Sequence, residues 1–340
     1  MALMTERTLV LLICVQLLVL VLLYQVSYDH ETAHYENTFW KSIAIATKIN
    51  KAIRAVSHYK QKLPDCPRTS QLTGGPLNIS FPLWLNMKQV EQKHLLVRRG
   101  GSYSPPNCTA TYKIAIIIPH RNRMEHLTYL LYHLHPFLQR QQLKYRIFVI
   151  EQAGNYTFNR GKLLNVGFKE AMKHENWDCI FFHDVDLIPE DDRNTYICDL
   201  FPKHASIAMD KFKYRLPYKH FFGGVSALTP EHVEKINGFP NSYWGWGGED
   251  DDIATRIKLN KMLVARPPIH IGRYKMISHK RDKGNEKNPE RFQLLKNATL
   301  RWEEDGLNNL EYILLSKKNN HLYTNITVDI GTSKGLQLYR

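Results

Sequence analysis

Ile114-Ala115-Ile116-Ile117-Ile118-Pro119 and Cys179-Ile180-Phe181-Phe182-His183-Asp184-Val185-Asp186 decide the fold class. Each opens with an unbroken apolar run of strand length, and such runs belong to strands buried on both faces. The first strand is expected to stop at Pro119, which cannot donate to a ladder. Between the two runs, Met124 to Gln142 carries Leu127, Leu130, Leu131, Leu134 and Leu138 at helical spacing. Tyr145 to Ile150 reads as a second strand and Arg160 to His174 as a second helix. Strand–helix–strand–helix–strand predicts an α/β domain with a parallel, Rossmann-like sheet. Sheets of this kind bind ligands beyond the carboxyl ends of their strands.

Those ends carry chemistry. Pro119-His120-Arg121-Asn122-Arg123 follows the first strand, and His183-Asp184-Val185-Asp186 follows the third. Side chains at i and i+2 on a strand share a face, so Asp184 and Asp186 are expected to converge on a cation. A hard divalent ion bridging a carboxylate and a diphosphate would serve, and the two arginines suit the diphosphate. An Asp-capped turn is the plainer reading of the same residues. There is no Gly-x-Gly-x-x-Gly and no Walker motif, so dinucleotide and P-loop readings fail.

Further along stands Trp244-Gly245-Trp246-Gly247-Gly248-Glu249-Asp250-Asp251-Asp252, opening a helical pattern through Ile253, Ile257 and Leu259. Acids in a first helical turn complement the dipole, which accounts for one or two of the four. Glycines between tryptophans make a mobile arm with a flat apolar surface for a sugar. A carboxylate just beyond it can act as general base toward a sugar hydroxyl. Met276 and His279, facing Asp186, would complete a site for a transition ion such as manganese, although each alone is ordinary core or surface. Ile277 to about Asn297 suits a lid that closes on a bound ligand, or a solvated loop.

The chain has 340 residues and a net charge of +14, which points to anionic partners such as nucleotides or membrane surfaces. Leu9 to Tyr24 is apolar except for Gln16, follows Arg7, and precedes Asp29 and Glu31. That asymmetry predicts an uncleaved signal-anchor helix with the remainder across the membrane; no small-residue cleavage site follows Tyr24. The expected organisation is a cytoplasmic tail (1–7), an anchor (8–25), a stem (26–65) and a lumenal catalytic domain (66–335). Cys66, Cys108, Cys179 and Cys198 form an even set for two bridges in an oxidising lumen. Spacing favours Cys66–Cys108 and Cys179–Cys198 among the three connectivities. Sequons at Asn78, Asn107, Asn155, Asn297 and Asn325 fit the same route. A nucleic-acid binder is disfavoured, since no recognition motif is present.

As a set, Pro119-His120-Arg121-Asn122-Arg123, Phe158-Asn159-Arg160, Lys162-Leu163-Leu164-Asn165-Val166-Gly167, His183-Asp184-Val185-Asp186, Phe222-Gly223-Gly224-Val225, Trp244 to Asp252 and Asn325-Ile326-Thr327-Val328-Asp329 resemble the β-1,4-galactosyltransferase family, from about Cys66 to Ile330. The resemblance implies a GT-A fold, a Golgi type II membrane enzyme, and transfer of galactose from UDP-galactose to O4 of N-acetylglucosamine or glucose with inversion. It implies that Pro119, His120, Arg121, Asn122, Arg123, Phe158, Asn159 and Arg160 hold the nucleotide, with Asp184, Val185, Asp186, Trp246, His279, Lys280 and Arg281 completing the donor site. Asp186, Met276 and His279 would bind Mn²⁺, and Asp250 would be the catalytic base. Gly248, Glu249, Asp250, Asp251, Arg291, Phe292 and Leu295 would form the acceptor side. Phe221 would line the 2-position of the donor sugar and exclude N-acetylgalactosamine. Use of another UDP-sugar, a catalytically silent glycan-binding protein, and homodimer formation remain open alternatives.

Overall fold

Alternate residues of the central strands bury against different helices, so one sheet serves two cores. The computed structural model describes residues 13–21, 44–51, 63–279 and 283–335. It divides into a unit of Met1–Lys62 and a unit of Leu63–Arg340. Helices over 13–21 and 44–51 are described in the first unit. Among the described residues no helix is long and apolar enough to cross a membrane, and most of the predicted 8–25 anchor and 26–65 stem lies outside them.

In the second unit, α1 (Met87–Lys93) and β1 (Ser102–Tyr103) precede β2 (Lys113–His120), α2 (Met124–Arg140), β3 (Lys144–Gln152), α3 (Arg160–Met172) and β4 (Cys179–His183). Short strands β5 (Leu187–Pro189), β6 (Lys203–His204), β7 (Ala208–Met209) and β8 (Val225–Leu228) follow. Helices α4 (Pro230–Lys235) and α5 (Glu249–Leu259) lead to β9 (Arg273–Met276). Helices α6 (Arg291–Lys296) and α7 (Ala298–Arg301) come before the hairpin β10 (Ile313–Asn319) and β11 (Thr324–Asp329).

The large sheet runs β10-β11-β3-β2-β4-β8-β6, with β1 also on β3. Its centre, β11-β3-β2-β4, is parallel as expected, whereas β8, β6, β10 and β1 pair antiparallel. The sheet is therefore mixed. Pro119 does not end β2; it stays in register with Ile150. The β4 partnership ceases at Ile117↔Phe182, so the missing Pro N–H falls where only β3 flanks the strand.

Ile114, Ile116, Ile118, Ile147, Val149 and Phe181 pack with the α2 leucines on one face. Ala115, Ile117, Phe148, Ile150, Ile180 and Phe182 pack with Leu163, Leu164 and Val166 of α3 on the other. Each such side chain contributes about 1.5–3 kcal/mol when removed from water. Asn159 starts α3 by accepting from the Lys162 N–H at 2.9 Å. Both expected disulfides are present: Cys66–Cys108 (Cα–Cα 5.0 Å) and Cys179–Cys198 (Cα–Cα 5.3 Å).

Gly167 brings α3 close to the sheet; a Cβ there would overlap Ile117 and reach Ile150 Cγ1 at 2.9 Å. Gly167→Val should therefore destabilise the domain by about 1–3 kcal/mol through overpacking. A lowered urea midpoint measures this, and an unchanged midpoint would mean the helix shifts freely.

Candidate active site

A cavity of about 760 Å³ opens beyond the carboxyl ends of β2 and β4. The end of β2 lines it with Pro119, Arg121 and Arg123, and the start of α3 adds Phe158 and Arg160. Arg121 donates to the carbonyls of Tyr156 and Gly284, and its guanidinium lies 5.1 Å from the Phe158 ring centroid.

Asp184 and Asp186 both line the cavity, yet not by strand alternation. Strand β4 ends at His183, and the turn that follows sends the two carboxylates to different partners. Asp184 accepts from Arg160 Nε at 2.6 Å, whereas Asp186 accepts from His279 Nε2 at 3.0 Å. Burial pushes the Asp184 carboxyl up, and the Arg160 charge opposes it only in part. Burial would raise Asp186 too, but the His279 hydrogen bond and the charges of His279, Lys211 and Arg123 hold it below the usual range. His183 shapes the turn from behind: its Nδ1 bonds the Asp184 carbonyl and its Nε2 the Tyr196 hydroxyl. Burial lowers this imidazole to about 4, so it is neutral.

The second sheet, β5-β9-β7, assembles the predicted ligand set. Leu187 pairs with Met276, and the Ile277 N–H donates to the Asp186 carbonyl at 2.8 Å. Residues some ninety positions apart thereby share one wall, and Arg123 reaches the free face of the imidazole by donating to His279 Nδ1 at 2.8 Å. Carboxylate, imidazole and thioether lining one cavity suit a divalent first-row ion. Among the described residues no three His, Cys, Asp or Glu are grouped to hold a metal, so a bound ligand would have to supply the remaining donors.

The four acids of α5 separate by partner. Glu249 faces Arg160 at 3.5 Å. Asp251 accepts from the Tyr218 hydroxyl at 2.7 Å. Asp252 is buried, accepting from Arg256 Nε at 2.6 Å and the Tyr243 hydroxyl at 3.0 Å. Asp250 accepts from the Asp251 N–H and lines the cavity. Burial, with the like charges of Glu249 and Asp251, pushes its carboxyl up to about 7. Gly223 leaves that carboxylate its space, since a Cβ there would overlap Asp250 Oδ2.

Trp246, 57% exposed, lies on the cavity wall. Its backbone bonds Glu286 and Asn288, and the Phe158 N–H donates to Gly284, so arm and lid segment are joined. Val185, Phe221, Gly248, Arg291, Phe292 and Leu295 also line the cavity. Three predicted residues do not. His120 is buried and paired with Glu151, Asn159 caps α3 and bonds the Asn241 carbonyl, and Asn122 occupies a left-handed turn (φ 53°). Lys280 and Arg281 lie outside the described residues. Lys211, Phe212, Tyr218 and Asn285 line the cavity without having been expected. Lys211 carried no signal because one lysine among 46 Lys and Arg has no motif to mark it.

A basic and acidic cavity at the carboxyl edge of a mixed α/β sheet defines a nucleotide-binding enzyme class. A family profile described as the N-terminal region of glycosyl transferase group 7 matches residues 66–199. Another, described as the N-terminal domain of galactosyltransferase, matches residues 203–280. The chain is 57% identical to β-1,4-galactosyltransferase 3 of Rattus norvegicus over 273 residues, covering 80% of this chain and 69% of that protein. It is 54% identical to β-1,4-galactosyltransferase 1 of Bos taurus over 272 residues, covering 80% and 68%. A mutant of Drosophila β-1,4-galactosyltransferase 7, solved with manganese, UDP-Gal and xylobiose, matches with a TM-score of 0.57 at 29% identity, covering 65% of this chain and 94% of that one. The chain belongs to the β-1,4-galactosyltransferase family.

Within α5, Asp252 holds the helix start rather than reacting. Asp252→Ala would strand the buried Arg256 charge and should cost about 3–5 kcal/mol in urea unfolding. Tyr243→Phe, which removes one neutral donor, should cost only about 1 kcal/mol. Equal losses would contradict this division.

Proposed function

We propose that the cavity transfers galactose from UDP-galactose, by one inverting displacement, to the 4-hydroxyl of an acceptor ending in N-acetylglucosamine or glucose. The observation that carries the reading is Asp250, a cavity carboxylate whose affinity for protons is raised into the neutral range. A base of that strength takes a proton from a hydroxyl and still ionises near neutral pH. The named complex of the Drosophila relative with manganese, UDP-Gal and xylobiose supports the donor, ion and acceptor class.

Arg121, Arg123 and Arg160 would bind the nucleotide and its diphosphate, with Phe158 against the base and Lys211 adding charge. Asp186, Met276 and His279 would hold manganese, together with Asp184 nearby. When bound, the ion supplies Lewis acidity to the departing diphosphate. Asp250 would orient the acceptor hydroxyl and accept its proton, so no enzyme nucleophile is required. Trp246 would cover the donor, and Arg291, Phe292 and Leu295 would cradle the acceptor. Residues 8–25 would anchor the enzyme as a single-pass type II Golgi protein; the apolar run and the two disulfides support that placement.

Asp250→Asn should lower kcat by about 10²- to 10⁴-fold with donor binding retained. The wild-type rate should fall as pH drops below about 7, because the base is then protonated. The folded value of about 7 exceeds the ordinary carboxyl value, so the ionised group opposes folding as pH rises toward that value. Asp250→Asn should accordingly raise the thermal midpoint at pH 8 and not at pH 4. Full turnover by the variant, or by chelator-treated enzyme, would refute the reading.

Phe221 stands between the rings of His204 (5.5 Å) and Tyr218 (5.4 Å) on the cavity wall. Its bulk would exclude an N-acetyl group at the donor 2-position, so Phe221→Leu should admit UDP-N-acetylgalactosamine. A donor screen that returns the wild-type preference would remove this role.

A further inference from the structure

Away from the cavity, the segment from Phe81 to Arg99 carries an exposed surface of one composition. Leu83 and Trp84 are 85% and 91% exposed just before α1, and Leu95 and Leu96 are exposed just after it. The helix has seven residues, so the two apolar pairs stand about 10 Å apart along its axis. Lys88, Lys93, Arg98 and Arg99 are exposed among them, and the segment's one acid, Glu91, is half-buried.

The scaffold beneath is ordered. Asn86 and Gln89 form a reciprocal cap, and Val90 and Val97 are buried. Phe81 packs edge-on to Tyr129 at 5.3 Å, and Lys93 Nζ donates to the Tyr132 hydroxyl at 2.7 Å. Trp84 adopts a left-handed φ of 62°, a conformation that costs a bulky residue free energy, yet it turns the indole outward.

Single exposed apolar residues are ordinary, but adjacent pairs on both sides of one helix are not. Lysine is depleted from the cores of protein–protein interfaces, whereas Trp and Leu interleaved with Lys and Arg is the composition of membrane-interface surfaces. We propose that this surface docks on an anionic lipid bilayer. Leu83, Trp84, Leu95 and Leu96 enter the headgroup region while the four cations meet lipid phosphates and carboxylates. The net charge of +14 adds long-range attraction. The proposal draws on the anchored reading in one respect: tethering makes the second contact intramolecular, so a weak surface suffices.

The test uses the full chain in phosphatidylcholine bilayers with and without phosphatidylserine. Hydrogen exchange of amides 83–88 and 94–99 should slow by about tenfold only where phosphatidylserine is present, and high salt should reverse it. The Leu83→Ser/Trp84→Ser and the Lys88→Glu/Arg98→Glu/Arg99→Glu variants should each abolish the protection while keeping wild-type activity on a soluble acceptor. Protection that survives charge reversal overturns the proposal. So does a dimer in detergent that the Leu83→Ser/Trp84→Ser variant dissociates, since a second copy would then be the occupant. Release by alkaline carbonate would refute the anchor separately, without altering the exchange result.

Discussion

One buried cation organises the reaction centre. Arg160, the first residue of α3, reaches Asp184 past the end of β4, Glu249 at the start of α5 and the Gly224 carbonyl before β8. Burial alone would weaken its hold on a proton, but the Asp184, Glu249 and Asp250 carboxylates outweigh that and raise it. An uncompensated charge here would cost several kcal/mol, so the four elements are held in one arrangement. The acids and bases of the cavity inherit their positions from that arrangement.

The electrostatics follow from it. Asp184 and Glu249 are both displaced upward by burial while sharing the same guanidinium. Asp250 feels Glu249 and Asp251 as like charges and has no cation at hydrogen-bond distance to offset them among the described contacts. The run Glu249–Asp252 thus works by unequal partnership. Two of its members, Glu249 and Asp252, neutralise arginines, Asp251 takes a tyrosine hydroxyl, and the remaining one is left basic. On the opposite side of the chemistry, Asp186 is held acidic and ready to ligate.

Mobility has an equally local basis. The tryptophan arm turns through glycines at left-handed φ (Gly245 88°, Gly247 104°, Gly248 100°), where a side chain would be strained. Its backbone bonds lead to Glu286 and Asn288 rather than to the sheet, so arm and lid can move together against a fixed floor. The floor is rigid because both faces of β2, β3 and β4 are covered.

The sequence by itself determined the α/β class, the order of the first three strands and two helices, both disulfides, and most of the cavity wall. These are legible because apolar periodicity, cysteine spacing and clustered motifs are local properties of the chain. It misjudged the edges of the sheet, since β6 and β8 are too short to carry a pattern, and it let Pro119 end a strand whose other neighbour had already stopped. It also drew Asp184 and Asp186 together by strand alternation, when a turn gives them separate partners. Only the tertiary structure decided which acid is a base, which His faces inward, and that Lys211 and Tyr218 join the site. Those outcomes depend on burial and on partners far away in the chain: His120 turns to Glu151, Asp252 to Arg256, and the β5–β9 pairing carries Met276 to Asp186. A proton's affinity is set by the charges and solvent around it, and those exist only once the chain has folded.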